Sequence, residues 1–203
     1  EVEEQEYAPA PRSVQRSRMW QLYRSAKELL DRESNTYDPN TAVDLLIEAA
    51  RLGCGTAKYR LGKMFLRGED VPKNIDYALR WLEESVSEGN QYAEYLLGKT
   101  FLRGEDVDQD LPRAELLLRR SSDQGNRYAS YTLGKTLLDG ELLLQNIPEA
   151  IRLLTDSADK GFAAGQYQMG KLLYRGEVVP QDVSRAIEYL ERSAEQKNPY
   201  AAY

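Results

Sequence analysis

The sequence predicts an all-α fold built from an array of helix pairs. Two observations carry this prediction: a 36-residue period through most of the 203 residues, and an apolar spacing that fits two amphipathic helices in each period. The period is plainest in residues 57–63, AKYRLGK, which return as AEYLLGK at 93–99, ASYTLGK at 129–135 and GQYQMGK at 165–171. No insertion interrupts these steps, so the sequence indicates a repeat architecture.

The first helix of each repeat carries small or large apolar residues four positions apart, as in Ala93, Leu97 and Phe101. A glycine, here Gly98, stands beside them. Glycine inside a helix costs about 1 kcal/mol relative to alanine. Its return in four repeats therefore predicts a close approach to a neighbouring helix, with Ala114 at the start of the second helix as the partner.

The second helix of the same repeat is predicted to begin near Asp110, a residue that caps helices well, with Pro112 in its first turn. Ala114, Leu118 and Ser121 then follow on one face. We interpret the serine, which recurs every 36 residues, as a small spacer on the packing side.

The repeat register extends on both sides of the clearest copies. Residues 18–53 are predicted to be a diverged first repeat, because Tyr23 and Lys27 lie 36 residues before Tyr59 and Lys63. The predicted solenoid occupies 13–203, with further repeats at 54–89, 90–125, 126–161 and 162–197 and a truncated sixth at 198–203.

Both ends of the chain carry their own predictions. Residues 1–12 contain four glutamates and an Ala-Pro-Ala-Pro stretch, which predict a flexible acidic leader. At the other end, an incomplete repeat is expected to leave packing surface uncovered, which predicts weak self-association through the C-terminal end.

The composition argues against several classes of function. Histidine is absent and Cys54 is the single cysteine, which removes histidine acid–base chemistry and metal sites of the Cys/His type. Gly-Lys-Thr at 98–100 and 134–136 lacks the upstream glycine of a phosphate-binding loop. No apolar run is long enough to cross a bilayer. We expect no enzyme, catalytic residue, cofactor, metal or membrane contact, and a cytoplasmic location.

Tyrosine and lysine recur together along the first helices, and each lysine follows its tyrosine by four residues, so that the pair shares one face. The pairs are Tyr23/Lys27, Tyr59/Lys63, Tyr95/Lys99, Tyr131/Lys135 and Tyr167/Lys171. A basic, aromatic face is therefore expected on a chain whose net charge is −6. The face either binds a partner, or its tyrosines stack between repeats beside solvated lysines.

The recurring pattern Ala-x-x-x-Leu-Gly, a glycine six residues later, and Ser-x-x-x-Gly in the second helix resembles Sel1-like repeats, relatives of tetratricopeptide repeats. The resemblance covers about residues 18–203 and implies a right-handed α-solenoid that acts as a non-catalytic scaffold. The family's loop usually has a second glycine, where this chain has Asp70, Asp106, Leu142 and Val178. We therefore expect the loop conformation to differ from the family norm.

These observations predict a scaffold that binds an acidic or peptide segment of a protein partner in a groove lined by the first helices. If the family geometry holds, the groove is concave. The predicted binding residues are Tyr59, Lys63, Tyr92, Tyr95, Lys99, Arg103, Tyr128, Tyr131, Lys135, Tyr167, Lys171 and Arg175.

A second hypothesis comes from a narrower pattern. GNQYAEYLLGK at 89–99 is similar to repeats that follow the relaxase domain of bacterial mobilisation proteins. The alternative function is thus an accessory region of a larger conjugation or mobilisation relaxase, in which the same face would stack bases and neutralise phosphates of a nucleic acid.

Overall fold

The computed structural model describes residues 12–197, and this range contains ten α-helices and no strand. The helices are α1 (Arg12–Leu29), α2 (Pro39–Arg51), α3 (Gly55–Arg67), α4 (Ile75–Ser87), α5 (Gln91–Arg103), α6 (Leu111–Asp123), α7 (Arg127–Asp139), α8 (Ile147–Asp159), α9 (Ala163–Arg175) and α10 (Val183–Glu195). The predicted leader, except for Arg12, and the predicted truncated repeat at 198–203 lie outside the described residues, as does the C-terminal end for which we predicted self-association.

The chain forms two compact units, Glu1–Asn90 and Gln91–Tyr203. The first contains α1–α4 and the second α5–α10. In both, each odd-numbered helix packs against the helix that follows it, and α2/α3, α6/α7 and α8/α9 join one pair to the next. The fold class is thus the predicted all-α solenoid of helix pairs. Asp110 caps α6 through its side chain and Pro112 lies in the first turn, as predicted.

The two helices of a pair meet at the predicted glycine. A β-carbon on Gly98 would lie 3.0 Å from Leu118 Cγ and 3.2 Å from the carbonyl oxygen of Ala114. Gly134 and Gly170 face the carbonyl oxygens of the corresponding alanines at 3.1 Å. The predicted contact is confirmed, although the glycine makes room for the Ala114 backbone and the Leu118 side chain rather than for the alanine methyl group.

A buried serine adds a hydrogen bond to the same pair. Ser121 Oγ donates to the carbonyl oxygen of Gln91, the first residue of α5, at 2.6 Å. The equivalent bonds, at 2.7–2.9 Å, are Ser85 to Gly55, Ser157 to Arg127 and Ser193 to Ala163. Our interpretation of these serines as mere spacers is wrong, because each one holds the start of a first helix.

A polar contact joins the two helices in each of the four pairs from α3/α4 to α9/α10, and its chemistry changes between repeats. In the α5/α6 pair, Glu94 is fully buried and accepts a hydrogen bond from Gln124 Nε2 at 2.6 Å. Arg120 Nη2 lies 2.9 Å from Glu94 Oε1 and forms an ion pair with it. Burial raises the pKa of Glu94, and Arg120 acts in the opposite direction.

The other pairs use different side chains at the same register. Lys58 Nζ pairs with Glu84 at 3.0 Å and with Glu88 at 2.6 Å, which reverses the charges found around Glu94. The two remaining contacts are Ser130 to Asp156 and Gln196 to Gln166, both at 2.8 Å. The repeats therefore share a backbone arrangement, but the polar residues that join the paired helices differ from one repeat to the next.

The loops after the first helices differ from one another. Asp70 adopts the left-handed conformation with φ of 67°, as a glycine would, whereas Asp106, Leu142 and Val178 do not. Its carboxylate accepts hydrogen bonds from Arg32 Nε at 2.9 Å and from the Tyr37 hydroxyl at 2.8 Å. These bonds offset the strain of a side chain in that conformation.

Gly98→Leu and Ala114→Leu should each lower the free energy of unfolding by about 1–3 kcal/mol, because neither site has room for a larger side chain. Urea unfolding measures the loss. Lys135→Leu, at an exposed position of α7, is the control and should change stability by less than about 0.5 kcal/mol. A Gly98→Leu variant as stable as the parent would contradict the close helix contact.

Glu94→Lys should destabilise the second unit by about 3 kcal/mol, because it places an ammonium group beside Arg120 in a buried site. Adding Arg120→Glu and Gln124→Glu reproduces the arrangement around Lys58 and should recover most of the loss. Thermal unfolding of the single and triple variants tests this. Equal stability of the two variants would show that the polar contact does not select its partners by charge.

Candidate functional site

Ten of the twelve predicted binding residues lie on the first helices of the second unit. They are Tyr92, Tyr95, Lys99 and Arg103 on α5, Tyr128, Tyr131 and Lys135 on α7, and Tyr167, Lys171 and Arg175 on α9. Tyr59 and Lys63 lie on α3 of the first unit. We call the side of α5, α7 and α9 that carries the three Tyr–Lys pairs of the second unit the Tyr/Lys face.

Two tyrosines of this face, Tyr95 and Tyr131, contact the repeat that follows. The ring centroid of Tyr95 lies 5.9 Å from that of Tyr128, and Tyr128 in turn lies 5.0 Å from Phe162 in an edge-to-face contact. Tyr131 packs on the same Phe162 at 5.2 Å, and burial raises the pKa of Tyr131, with Asp139 adding to the shift. Aromatic contacts of this kind contribute about 0.5–1.5 kcal/mol beyond the area that they bury, which favours these ring positions.

Phe162 is a residue that the sequence analysis did not single out. It is the N-cap residue of α9 and stands 36 residues after Asn126, the N-cap residue of α7. Because its register position holds Asn126 and Cys54 in other repeats, it belongs to no recurring column. The one sequence feature that could have drawn attention to Phe162 is that it is an aromatic residue in the turn between two predicted helices.

The lysines of the Tyr/Lys face differ from Lys160 in their ionic contacts. Within the described part of the second unit, Lys99, Lys135 and Lys171 form no ion pair, whereas Lys160 pairs with Asp156 at 2.8 Å. Lys99 Nζ lies 5.8 Å from the centre of the Tyr95 ring. Three cations therefore recur at one register position of this face, and none of them forms an ion pair within the described residues.

The far end of the face is mixed in charge. Arg103 and Arg175 are exposed at the last residues of α5 and α9, and the last residue of α7 is Asp139. Arg103 Nη1 lies 3.8 Å from Glu105, an exposed pair of the kind that contributes little. The positive charge is therefore concentrated at the lysines rather than at the helix ends.

An open pocket of about 440 Å³ lies at the opposite end of these helices, between three successive turns. Its lining residues are Gln91, Tyr92, Gly125, Asn126, Arg127, Tyr128 and Lys160, and we call it the Arg127 pocket. The sequence analysis predicted Tyr92 and Tyr128 but missed Arg127 and Lys160. Neither cation recurs: the equivalents of Arg127 are Met19, Gly55, Gln91 and Ala163.

Hydrogen bonds fix the guanidinium of Arg127. Its Nη1 donates to the carbonyl oxygens of Lys160 at 3.1 Å and Gly161 at 3.4 Å, and its Nη2 donates to the Tyr128 hydroxyl at 3.2 Å. The guanidinium carbon lies 5.1 Å from the centre of the Tyr128 ring. Among residues 12–197, no carboxylate pairs with Arg127.

The residues that would suggest nucleotide binding or thiol chemistry lie within helices or are buried. Both Gly-Lys-Thr segments lie inside helices, α5 and α7, and Cys54 is buried, which raises the pKa of its thiol. No group of three acidic, cysteine or histidine side chains in the described residues could hold a metal ion. None of the helices described here has the length and apolar character needed to span a membrane.

The paired helices of the described residues define an all-α repeat protein. The sequence profile of the Sel1 repeat matches residues 35–54, 55–90, 91–126, 127–162 and 163–198. The chain therefore belongs to the Sel1 repeat family. Sel1 repeat proteins generally mediate protein–protein interactions, and their repeats are typically non-catalytic scaffolds.

Solved structures share the fold. A Sel1 repeat protein from Oxalobacter formigenes is 22% identical with a TM-score of 0.84, over 90% of this chain and 75% of that one. A protective antigen of uropathogenic Escherichia coli is 23% identical with a TM-score of 0.81, over 93% of this chain and 40% of that one. An immunity protein of Pseudomonas aeruginosa is 18% identical with a TM-score of 0.63, over 98% and 74%. No curated protein matches the chain.

Proposed function

We propose that the chain is a non-catalytic module that binds an acidic segment of a protein partner on the Tyr/Lys face. The observation that carries the proposal is the row of lysines. Lys99, Lys135 and Lys171 occupy one register position on successive first helices, and none of them has an acidic partner in the described second unit. Other cations of this unit, such as Arg119 and Arg192, are paired with glutamates.

The tyrosines support a peptide as the bound species. Tyr95 and Tyr131 are held by ring contacts with Tyr128 and Phe162, so they lose little conformational freedom when a ligand packs on them. A lysine supplies charge without the fixed geometry that an arginine fork requires. An extended acidic segment can therefore place carboxylates along the lysine row while its aliphatic groups contact the ring edges.

The energetics predict a salt-sensitive interaction. Each exposed ion pair contributes about 0.2–1 kcal/mol, and ions in solution screen it. A row of three such contacts, together with the tyrosine edges, gives a modest affinity that depends on several contacts at once. Binding should weaken steadily as the salt concentration rises.

Reversing two of the charges tests the proposal directly. Lys99→Glu combined with Lys135→Glu should weaken binding of a fluorescein-labelled oligoglutamate peptide by about 1–3 kcal/mol and should reduce its salt dependence. Fluorescence anisotropy measures the affinity. Folding should stay nearly intact, because neither lysine forms an ion pair in the described structure, and circular dichroism checks this.

The matched control makes the same charge change on second helices. Arg152→Glu with Arg192→Glu alters exposed residues of α8 and α10 and should leave peptide binding within a factor of about two. Equal binding by the lysine double variant and the parent would contradict the proposal. Tighter binding of single-stranded oligothymidylate than of the peptide, lost in the same lysine variant, would instead assign the face to nucleic acid.

A further inference from the structure

We propose that the Arg127 pocket is a carboxylate-binding site that anchors one end of the partner segment. This inference rests on the proposed function and names the group that the partner presents beside the Tyr/Lys face. The ligand chemistry is a carboxylate, whether it belongs to an acidic side chain or to the end of a polypeptide.

The guanidinium of Arg127 is fixed by hydrogen bonds and still has N–H groups that a ligand can use. Two carbonyl oxygens fix its Nη1 and the Tyr128 hydroxyl accepts from its Nη2, but none of these bonds uses the Nε–H. The guanidinium also lies over the Tyr128 ring at 5.1 Å, so its plane is already oriented. A carboxylate that binds the remaining N–H groups of a fixed guanidinium gains a charge-assisted hydrogen bond at little cost in side-chain entropy.

The charges around the pocket favour an anion. Arg127 and Lys160 both line it, and Lys160 Nζ lies 3.8 Å from the place that a β-carbon on Gly125 would occupy. Lys160 is paired with Asp156, which also accepts a hydrogen bond from Ser130. That carboxylate neutralises one of the two cations, so the pocket keeps the positive charge of Arg127.

The other lining groups give the pocket its walls. Tyr92 is 48% exposed, and with Tyr128 it presents aromatic surface on which the aliphatic part of a bound acidic residue can pack. Asn126 is 3% exposed and is occupied with the turn, since its Oδ1 accepts from the Tyr128 N–H and its Nδ2 donates to the Gln91 carbonyl oxygen. Asn126 therefore shapes the pocket, and Arg127 supplies its recognition chemistry.

The pocket and the Tyr/Lys face are continuous. The Tyr95 ring contacts the Tyr128 ring, so a ligand that leaves the pocket meets Tyr95 next. Lys99 follows Tyr92 by seven residues on α5, which is roughly 10 Å along the helix axis at 1.5 Å per residue. An extended peptide covers that distance in about three residues. The partner segment should thus place one carboxylate in the pocket and another about three residues away, at Lys99.

The experiment compares two hexaglutamate peptides, labelled at the N-terminus, that end in a free carboxylate or in a carboxamide. Arg127→Gln in the full chain should weaken binding of the free-acid peptide about tenfold. Because loss of the Arg127 hydrogen bonds could loosen the turn, Tyr92→Ala provides a second variant at a half-exposed side chain and should weaken binding several-fold. Arg152→Gln, which removes an exposed arginine of α8, is the control and should bind as the parent does.

The two peptides identify the source of the carboxylate. If the carboxamide weakens binding to the parent but not to Arg127→Gln, the pocket takes the terminal carboxylate. If Arg127→Gln weakens both peptides equally, it takes a side-chain carboxylate. Either result supports the site.

Other outcomes overturn it. One such outcome is that Arg127→Gln and Tyr92→Ala bind both peptides as the parent does, while the Lys99→Glu and Lys135→Glu double variant binds them more weakly. This result would overturn the proposed role of the Arg127 pocket and would still support the proposed function. A parent protein that binds neither peptide would overturn both.

Discussion

In the four repeats from α3/α4 to α9/α10, the two helices cross so closely that the residue at the crossing carries no side chain. At Gly98 the opposing atoms are the Ala114 carbonyl oxygen and the Leu118 side chain, and a methyl group there would already be in tight contact. Ser121 then holds the first residue of α5 by a hydrogen bond to its carbonyl oxygen. With one side of α5 fixed in this way, the side that carries Lys99 is fixed as well. Repetition of the arrangement in α7 and α9 gives the lysines a common register.

The sequence predicts the parts of this arrangement that only one residue type can provide. A recurring glycine inside a helix has few explanations other than close packing, so the contact near Ala114 was predictable. A recurring serine is equally compatible with a small spacer, so the hydrogen bond of Ser121 was not. Phe162 and Arg127 belong to no column, and a periodic pattern carries no signal for a residue that occurs once.

The repeats differ in the polar side chains that they carry, although their helices pack in the same way. The polar contact between paired helices is built on Lys58 in one repeat, Glu94 in the next and Gln166 in a third, while the backbone arrangement is retained. Variation at such positions costs little, because partners within the same pair change together. Arg127 is another residue that occurs in only one repeat. Its side chain donates to a main-chain carbonyl oxygen and to the Tyr128 hydroxyl, so these hydrogen bonds require no change in the helix packing.

We infer that Lys99, Lys135 and Lys171, which form no ion pair among the described residues, make up the lysine row of the binding surface. Reductive methylation with carbon-13 formaldehyde would label every lysine for NMR, and oligoglutamate would be titrated into the labelled full chain. We expect saturable shifts for the signals of Lys99, Lys135 and Lys171, with the signal of Lys58, which is paired with two glutamates, unmoved. A uniform shift of all lysines, or a shift that leaves these three signals unchanged, would contradict it.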